Sequence, residues 1–123
     1  MEEKTNKRLK DIMRIISKEL KLLGIPPSRE GYWFIRDSIY LYMTKDRFNL
    51  KITKDIYPKL SKKYNKKTSA IEKAIRSSIE KGWNNCDLDH ANELFTGIIA
   101  YNKDRPTNNE FISTVSEYIS LEK

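Results

Sequence analysis

Apolar positions along most of the chain recur at spacings of three and four, the period of helices that bury one face. Leu9, Ile12, Met13, Ile16, Leu20 and Leu23 form one such stripe, on a helix of about five turns. Gly24 stands where a C-terminal cap belongs, and Pro26-Pro27 forbids continuation. Ser28 is placed to cap a second helix that buries Tyr32, Ile35, Ile39, Tyr42 and Met43, and Thr44 to Leu50 reads as a polar connection. Ile52, Ile56, Leu60 and Tyr64 then lie four apart, but Pro58 between them lacks a donor and clashes with a preceding helical turn. The pattern predicts two short helices, about 52–57 and 58–64, with Pro58 in the first turn of the second.

Asn65-Lys66-Lys67 reads as a tight turn. Ser69 and Glu72 have the spacing of a capping box, in which a hydroxyl and a carboxylate each satisfy an orphan backbone donor. The helix opened there extends to about Trp83 and buries Ile71, Ala74, Ile75, Ser78, Ile79 and Gly82. Asn84 to Asp87 is a connection, and a helix from about Leu88 to Gly97 turns Ala91, Leu94 and Phe95 inward. Lys103 to Pro106 is a loop, and Thr107 with Glu110 is a second capping box before a last helix burying Phe111, Ile112, Val115 and Ile119. There is no internal repeat and no strong strand pattern. The predicted class is all-α: one compact multi-helix domain over 1–123, containing a helix-turn-helix at about 58–83.

Composition sharpens this picture mainly through charge. The net charge is +7, and residues 51–81 alone carry ten basic side chains against three acidic ones. The last 42 residues, 82–123, carry three basic against seven acidic. A positive excess confined to about thirty residues attracts a polyanion, of which nucleic acid is the usual one; the plainer reading is a solvated lysine-rich face. The single cysteine, Cys86, excludes an internal disulfide and suits a reducing cytosol. The single histidine, His90, lies four residues from it, without a third group to orient a catalytic pair. No metal-ligand cluster or phosphate-cradling glycine loop is present. No cofactor, no metal and no enzymatic activity are expected. No apolar run reaches the roughly 18 residues of a spanning helix. No membrane association is therefore expected, and a cytoplasmic location is.

A short helix, a tight turn and a longer capped helix within the basic stretch have the layout of a helix-turn-helix, whose second helix enters the major groove by its N-terminal half. With Ile71, Ile75, Ser78 and Gly82 inward, the opposite face of that helix carries Ser69, Ala70, Lys73, Arg76, Ser77 and Glu80, with Glu72 on the boundary. Arg76 and Lys73 can donate to guanine O6 and N7, and Glu72 can accept from cytosine N4. Lys62, Lys63, Lys66, Lys67 and Lys81 are placed to neutralise phosphates. Ser69 suits a phosphate or its own cap, and the cap is the expected role. Glu72 equally suits the capping box and support of Arg76 across one helical turn.

From about Met13 to Glu122 the chain resembles the C-terminal effector domain of the stage 0 sporulation protein A family, the sporulation response regulators of endospore-forming Firmicutes. The residues carrying the resemblance are Gly24-Ile25-Pro26, Gly31-Tyr32, Ile52-Thr53-Lys54, Tyr57-Pro58, Lys62-Lys63-Tyr64-Asn65, and Ser69 with Glu72. They continue through Ala74-Ile75-Arg76, Ile79-Glu80, Trp83, Leu94-Phe95, Pro106-Thr107-Asn108 and Glu110-Phe111-Ile112, in order and almost without gaps. The resemblance implies a compact helical fold that binds duplex DNA at short boxes of the TGTCGAA type, as tandem copies or a dimer. It also implies contact with the sigma subunit of RNA polymerase. Its base contacts map onto the start of the helix at 69–83, where Glu72 and Arg76 agree with the family pattern. Ala70 and Lys73 stand where the family usually has arginine: the first lacks a bidentate donor and the second offers a point charge instead of a fork.

No receiver domain with an acceptor aspartate is recognisable in the chain, which is expected to be either an excised domain or a stand-alone regulator. Thr96-Gly97-Ile98-Ile99, where the family's sigma-contacting loop falls, lacks the family pattern. The expected function is sequence-specific transcriptional regulation. The alternative is a protein-interaction module of the same fold that has lost specific DNA binding and modulates a related regulator or RNA polymerase.

Overall fold

A computed structural model of the chain describes residues 2–27, 29–44, 51–95 and 105–122. Its first helix, α1 (Glu2–Leu22), stops as the sequence predicts. Gly24 takes a left-handed φ of +78°, its N–H donates to the Lys21 carbonyl (3.0 Å), and the Ile25 N–H donates to that of Leu20 (2.9 Å). This crossed pair of bonds is a Schellman cap, which satisfies carbonyls the helix leaves open. Only the C-terminal half of the α1 stripe is fully used: Ile16, Leu20 and Leu23 are buried, whereas Ile12 and Met13 are half-buried and Leu9 is exposed.

The second helix, α2 (Glu30–Thr44), is the centre of the architecture. It packs on α1, on α4 (Thr68–Trp83) and on α6 (Asn108–Glu122). Neighbours on several sides explain why its buried set exceeds the single predicted stripe, adding Gly31, Phe34, Asp37 and Ser38 to Tyr32, Ile35 and Ile39. Tyr42 and Met43, predicted inward, are half-buried. At Gly31 a Cβ would overlap the Ser78 hydroxyl and the Ala74 carbonyl, so α2 and α4 meet nearly backbone to backbone. The Ser38 hydroxyl, buried within this packing, donates to the Phe34 carbonyl of its own helix (2.7 Å).

Between α2 and α4 the two short helices that the sequence predicts are present, with Pro58 in the first turn of the second; the first, Ile52–Ile56, is π-helical and runs directly into α3 (Tyr57–Tyr64). The Tyr57 N–H reaches back five residues to the Ile52 carbonyl. Pro58 has no N–H to return to the Lys54 carbonyl, so an α-helical ladder cannot cross this point, and the chain bridges it with a wider turn rather than a break. Ile52, Ile56 and Leu60 stay on the inner side and are buried, as the four-residue spacing requires.

Past α4, Asp87 caps α5 (Leu88–Leu94) by accepting from the His90 N–H (3.1 Å). Phe95 is fully buried, stacked on Phe111 of α6 (centroids 5.7 Å) and edge-on to Trp83 of α4 (5.3 Å). The core is one cluster running from Ile16 through Phe34, Ile75 and Phe95 to Ile119. A fully buried side chain of this size contributes about 1.5–3 kcal/mol. The described residues contain helices and no strand, which is the all-α class. The predicted Ser28 cap, the connection over 45–50, the predicted helix end near Gly97, the stretch 96–99 and residues 103 and 104 of the predicted loop lie outside the described residues.

Candidate nucleic-acid interface

Two helices joined by a three-residue turn occupy the basic stretch: α3 ends at Tyr64 and α4 begins at Thr68. Asn65 makes the turn possible with a left-handed φ of 53°, a conformation its short polar side chain tolerates. The Lys66 N–H closes the end of α3 on the Ser61 carbonyl (3.2 Å). Lys67, with extended ψ of 146°, is the cap position, and no side chain bonds into it.

The predicted Ser69–Glu72 capping box is therefore absent. Its hydroxyl would have to stand on the last non-helical residue, and that residue is Lys67; Ser69 lies inside the first helical turn, exposed on the outer face. Glu72 turns instead to Arg76 one helical turn on (Oε1 to Nη2, 3.2 Å). The second predicted box does form: the Glu110 N–H donates to the Thr107 hydroxyl (3.1 Å), and the Thr107 N–H to the Glu110 carboxylate (2.9 Å).

The inner and outer faces of α4 fall where the sequence places them. Ile71, Ile75, Ser78, Ile79 and Gly82 are buried and Ala74 is half-buried. Ser69, Ala70, Lys73 and Arg76 are exposed, with Ser77 and Glu80 half-exposed beside them. Glu72 and Arg76 are each about half exposed while paired (side chains 47% and 54%), so the pair faces water.

The flanking lysines divide into two kinds. The Lys63 ammonium lies 2.8 Å from Asp37, whose side chain is buried in α2, and the Tyr64 hydroxyl donates to the same carboxylate oxygen. The hydrogen bond that Lys63 donates to Asp37 raises the pKa of Lys63, and burial together with Asp37 raises that of Tyr64. Lys66 reaches Glu30 at the start of α2 (2.7 Å) with both side chains substantially exposed. Lys62, Lys67, Lys73 and Lys81 are exposed and make no ion pair among the described residues. Lys63 is thus a strut between α3 and α2, whereas the others present charge to solvent.

Three contributors escape the sequence reading. The Asn108 amide donates to the Glu72 carbonyl (3.0 Å) and to the Tyr57 hydroxyl (3.3 Å), joining the start of α6 to α4 and α3. Burial pushes the Tyr57 hydroxyl pKa up, against the opposing effect of that bond. Arg105 reaches Glu80 on the outer side of α4 (2.6 Å). These residues line a groove of about 630 Å³ running beside Glu72 and Arg76. Pairs 25 and 36 residues apart leave no periodic signature in a sequence.

The two residues considered for catalysis both have structural partners. His90 is held by Glu19 of α1. Cys86 lies half-buried with its sulfur 3.5 Å from the Trp83 carbonyl, and burial raises its pKa, away from the thiolate a nucleophile needs. No helix among the described residues is long and apolar enough to cross a membrane.

A short helix, a three-residue turn and a longer helix with a basic outer face define a protein of the helix-turn-helix kind. Residues 16–119 match the family described as sporulation initiation factor Spo0A, C terminal, and the chain belongs to that family. The family is one of DNA-binding effector domains in transcription regulation and sporulation, not an enzymatic one.

Proposed function

We propose that residues 1–123 form one DNA-binding domain of a sequence-specific transcriptional regulator, with α4 as the recognition helix in the major groove of duplex DNA. The observation that carries this reading is the outer face of α4. Lys73 and Arg76 stand exposed on a helix whose opposite face is sealed into the core, and Lys62 and Lys67 flank it without ion-pair partners among the described residues.

Glu72, Lys73 and Arg76 meet base edges, with Ala70 at the groove floor, where a methyl group suits a thymine methyl. Lys62, Lys66, Lys67 and Lys81 meet phosphates, and Ser69, not engaged in a cap, joins them as a hydroxyl donor. Lys63 contributes to the same field while remaining bound to Asp37. The Glu72–Arg76 pair is a resting arrangement: each partner exchanges the other for a base edge in the groove. The domain works in the cytosol, without a cofactor or enzymatic activity, as a dimer or as tandem copies on DNA, with the sigma subunit of RNA polymerase as a further partner.

The test is a mobility-shift titration with a duplex carrying a TGTCGAA box and with a scrambled duplex, each across a salt series. Preference for the box with a steep salt dependence supports the proposal. Equal, salt-sensitive binding to both duplexes would mean that Ala70 and Lys73 have moved the target. No binding at low salt would overturn the proposal in favour of a protein-interaction module of the same fold.

A further inference from the structure

We propose that Arg105 is an additional DNA ligand, a phosphate contact delivered to the C-terminal half of α4 by the chain entering α6. The inference rests on the DNA-binding reading above and adds to it a residue far from the helix-turn-helix in sequence.

Four observations converge on Arg105. Its position is anchored on the downstream side: Pro106 is buried, Thr107 and Glu110 close a reciprocal box, and Asn108 is bonded to the Glu72 carbonyl. Its guanidinium lies 2.6 Å from Glu80. Glu80 follows Arg76 by four residues and Lys73 by seven, so it continues their outer stripe, and Arg105 is drawn onto the face proposed to meet DNA. Both partners are 44% exposed, and an ion pair in such a setting is weak enough to be exchanged for a phosphate. Finally, Glu80 is an acidic group on a face that otherwise suits a polyanion, and Arg105 cancels it.

The placement matches the geometry of a recognition helix. Its N-terminal half reads base edges, and its C-terminal half leaves the groove beside the sugar-phosphate backbone. A guanidinium offers five donors in a planar fork, suited to two phosphate oxygens at once. Lys62, Lys66 and Lys67 all cluster near the start of α4. Arg105 and Lys81 supply the corresponding charge at its other end.

The experiment compares wild type, Arg105→Gln and Glu80→Gln on the box and scrambled duplexes across a salt series, with thermal melting of each protein. In the expected result, Arg105→Gln weakens both duplexes by the same factor, about fivefold to tenfold, and lowers the magnitude of the log–log salt slope by about 0.9. Glu80→Gln, which frees the guanidinium, strengthens both. A residue that only clamps the loop predicts otherwise: both variants would lower the melting temperature and the affinity together with the slope unchanged, and that overturns the inference. Weakening confined to the box duplex would make Arg105 a base reader and also overturn it. Wild type binding normally with Arg105→Gln unaltered sinks this inference alone; wild type binding neither duplex removes the DNA reading and this contact together.

Discussion

Two groups of carboxylate–cation pairs flank the helix-turn-helix, one between α2 and α3 and one along α4, and they differ in what the carboxylate touches. Asp37 is buried in the central helix, with Lys63, Tyr64 and Arg36 converging on it. Glu72 and Glu80 lie on the outer side of α4, about half exposed, with Arg76 and Arg105 as partners. A buried carboxylate stripped of its donors keeps the full cost of desolvation, so its partners are held. A half-exposed pair gains little over hydration, so either member can leave for a better ligand. In a lysine-rich segment, the burial of the acidic partners therefore decides which cations are structural and which are available.

The sharpest way to break the buried group is Asp37→Ala. It is expected to lower unfolding stability by about 1.5–3 kcal/mol, since it removes hydrogen bonds to a charged acceptor that tie α3 to α2. The urea midpoint measures this, and an unchanged midpoint would reduce the buried group to the status of the exposed one.

The converse test is Arg76→Ala. Affinity for the box duplex should fall by about 1–3 kcal/mol, while stability stays within about 0.5 kcal/mol because the Glu72 pair is exposed. A large stability loss with unchanged binding would reverse the assignment.

A finer contrast sets Lys62→Ala against Lys63→Ala. Removing Lys62 should reduce the salt slope by about 0.9 without affecting the urea midpoint. Removing Lys63 should shift the midpoint more than the slope. Equal slopes for the two variants would erase the distinction between strut and free cation.

The smallest effect is on pH dependence. Lys63, Tyr64, Tyr57 and Cys86 all have raised pKa values in the fold, from ordinary values of 10.5, 10.0, 10.0 and 9.0. A group that holds its proton more tightly when folded contributes stability that is complete below its unfolded pKa. That contribution is lost as pH rises through the folded value. Melting temperature should therefore hold near neutrality and decline from about pH 9 upward. Tyr64→Phe should flatten part of that decline, and a decline unchanged in this variant would remove Tyr64 from the account.

Much of this architecture is legible in one dimension. The faces of α4, the Gly24 stop, the Thr107–Glu110 box and the buried set of α6 follow from local period and local hydrogen-bonding chemistry, which nearby residues specify by themselves. The capping box at Ser69 did not follow, because Thr68 and Lys67 compete for the same few positions and the turn geometry at Asn65 selects among them. The π-helical turn did not follow either: a proline announces a disruption but not its form.

The residues alone determined an all-helical fold, a basic segment and the outer face of the helix that carries it, because periodicity and charge are written along the chain. Only the tertiary structure decided that α2 is surrounded, that Lys63 belongs to Asp37, and that Asn108 and Arg105 reach α4. The Lys63, Asn108 and Arg105 contacts join groups 25 to 36 residues apart, and α2 meets α6 across a longer stretch of chain still. Burial, and with it the strength of every ion pair, exists only once those elements have packed.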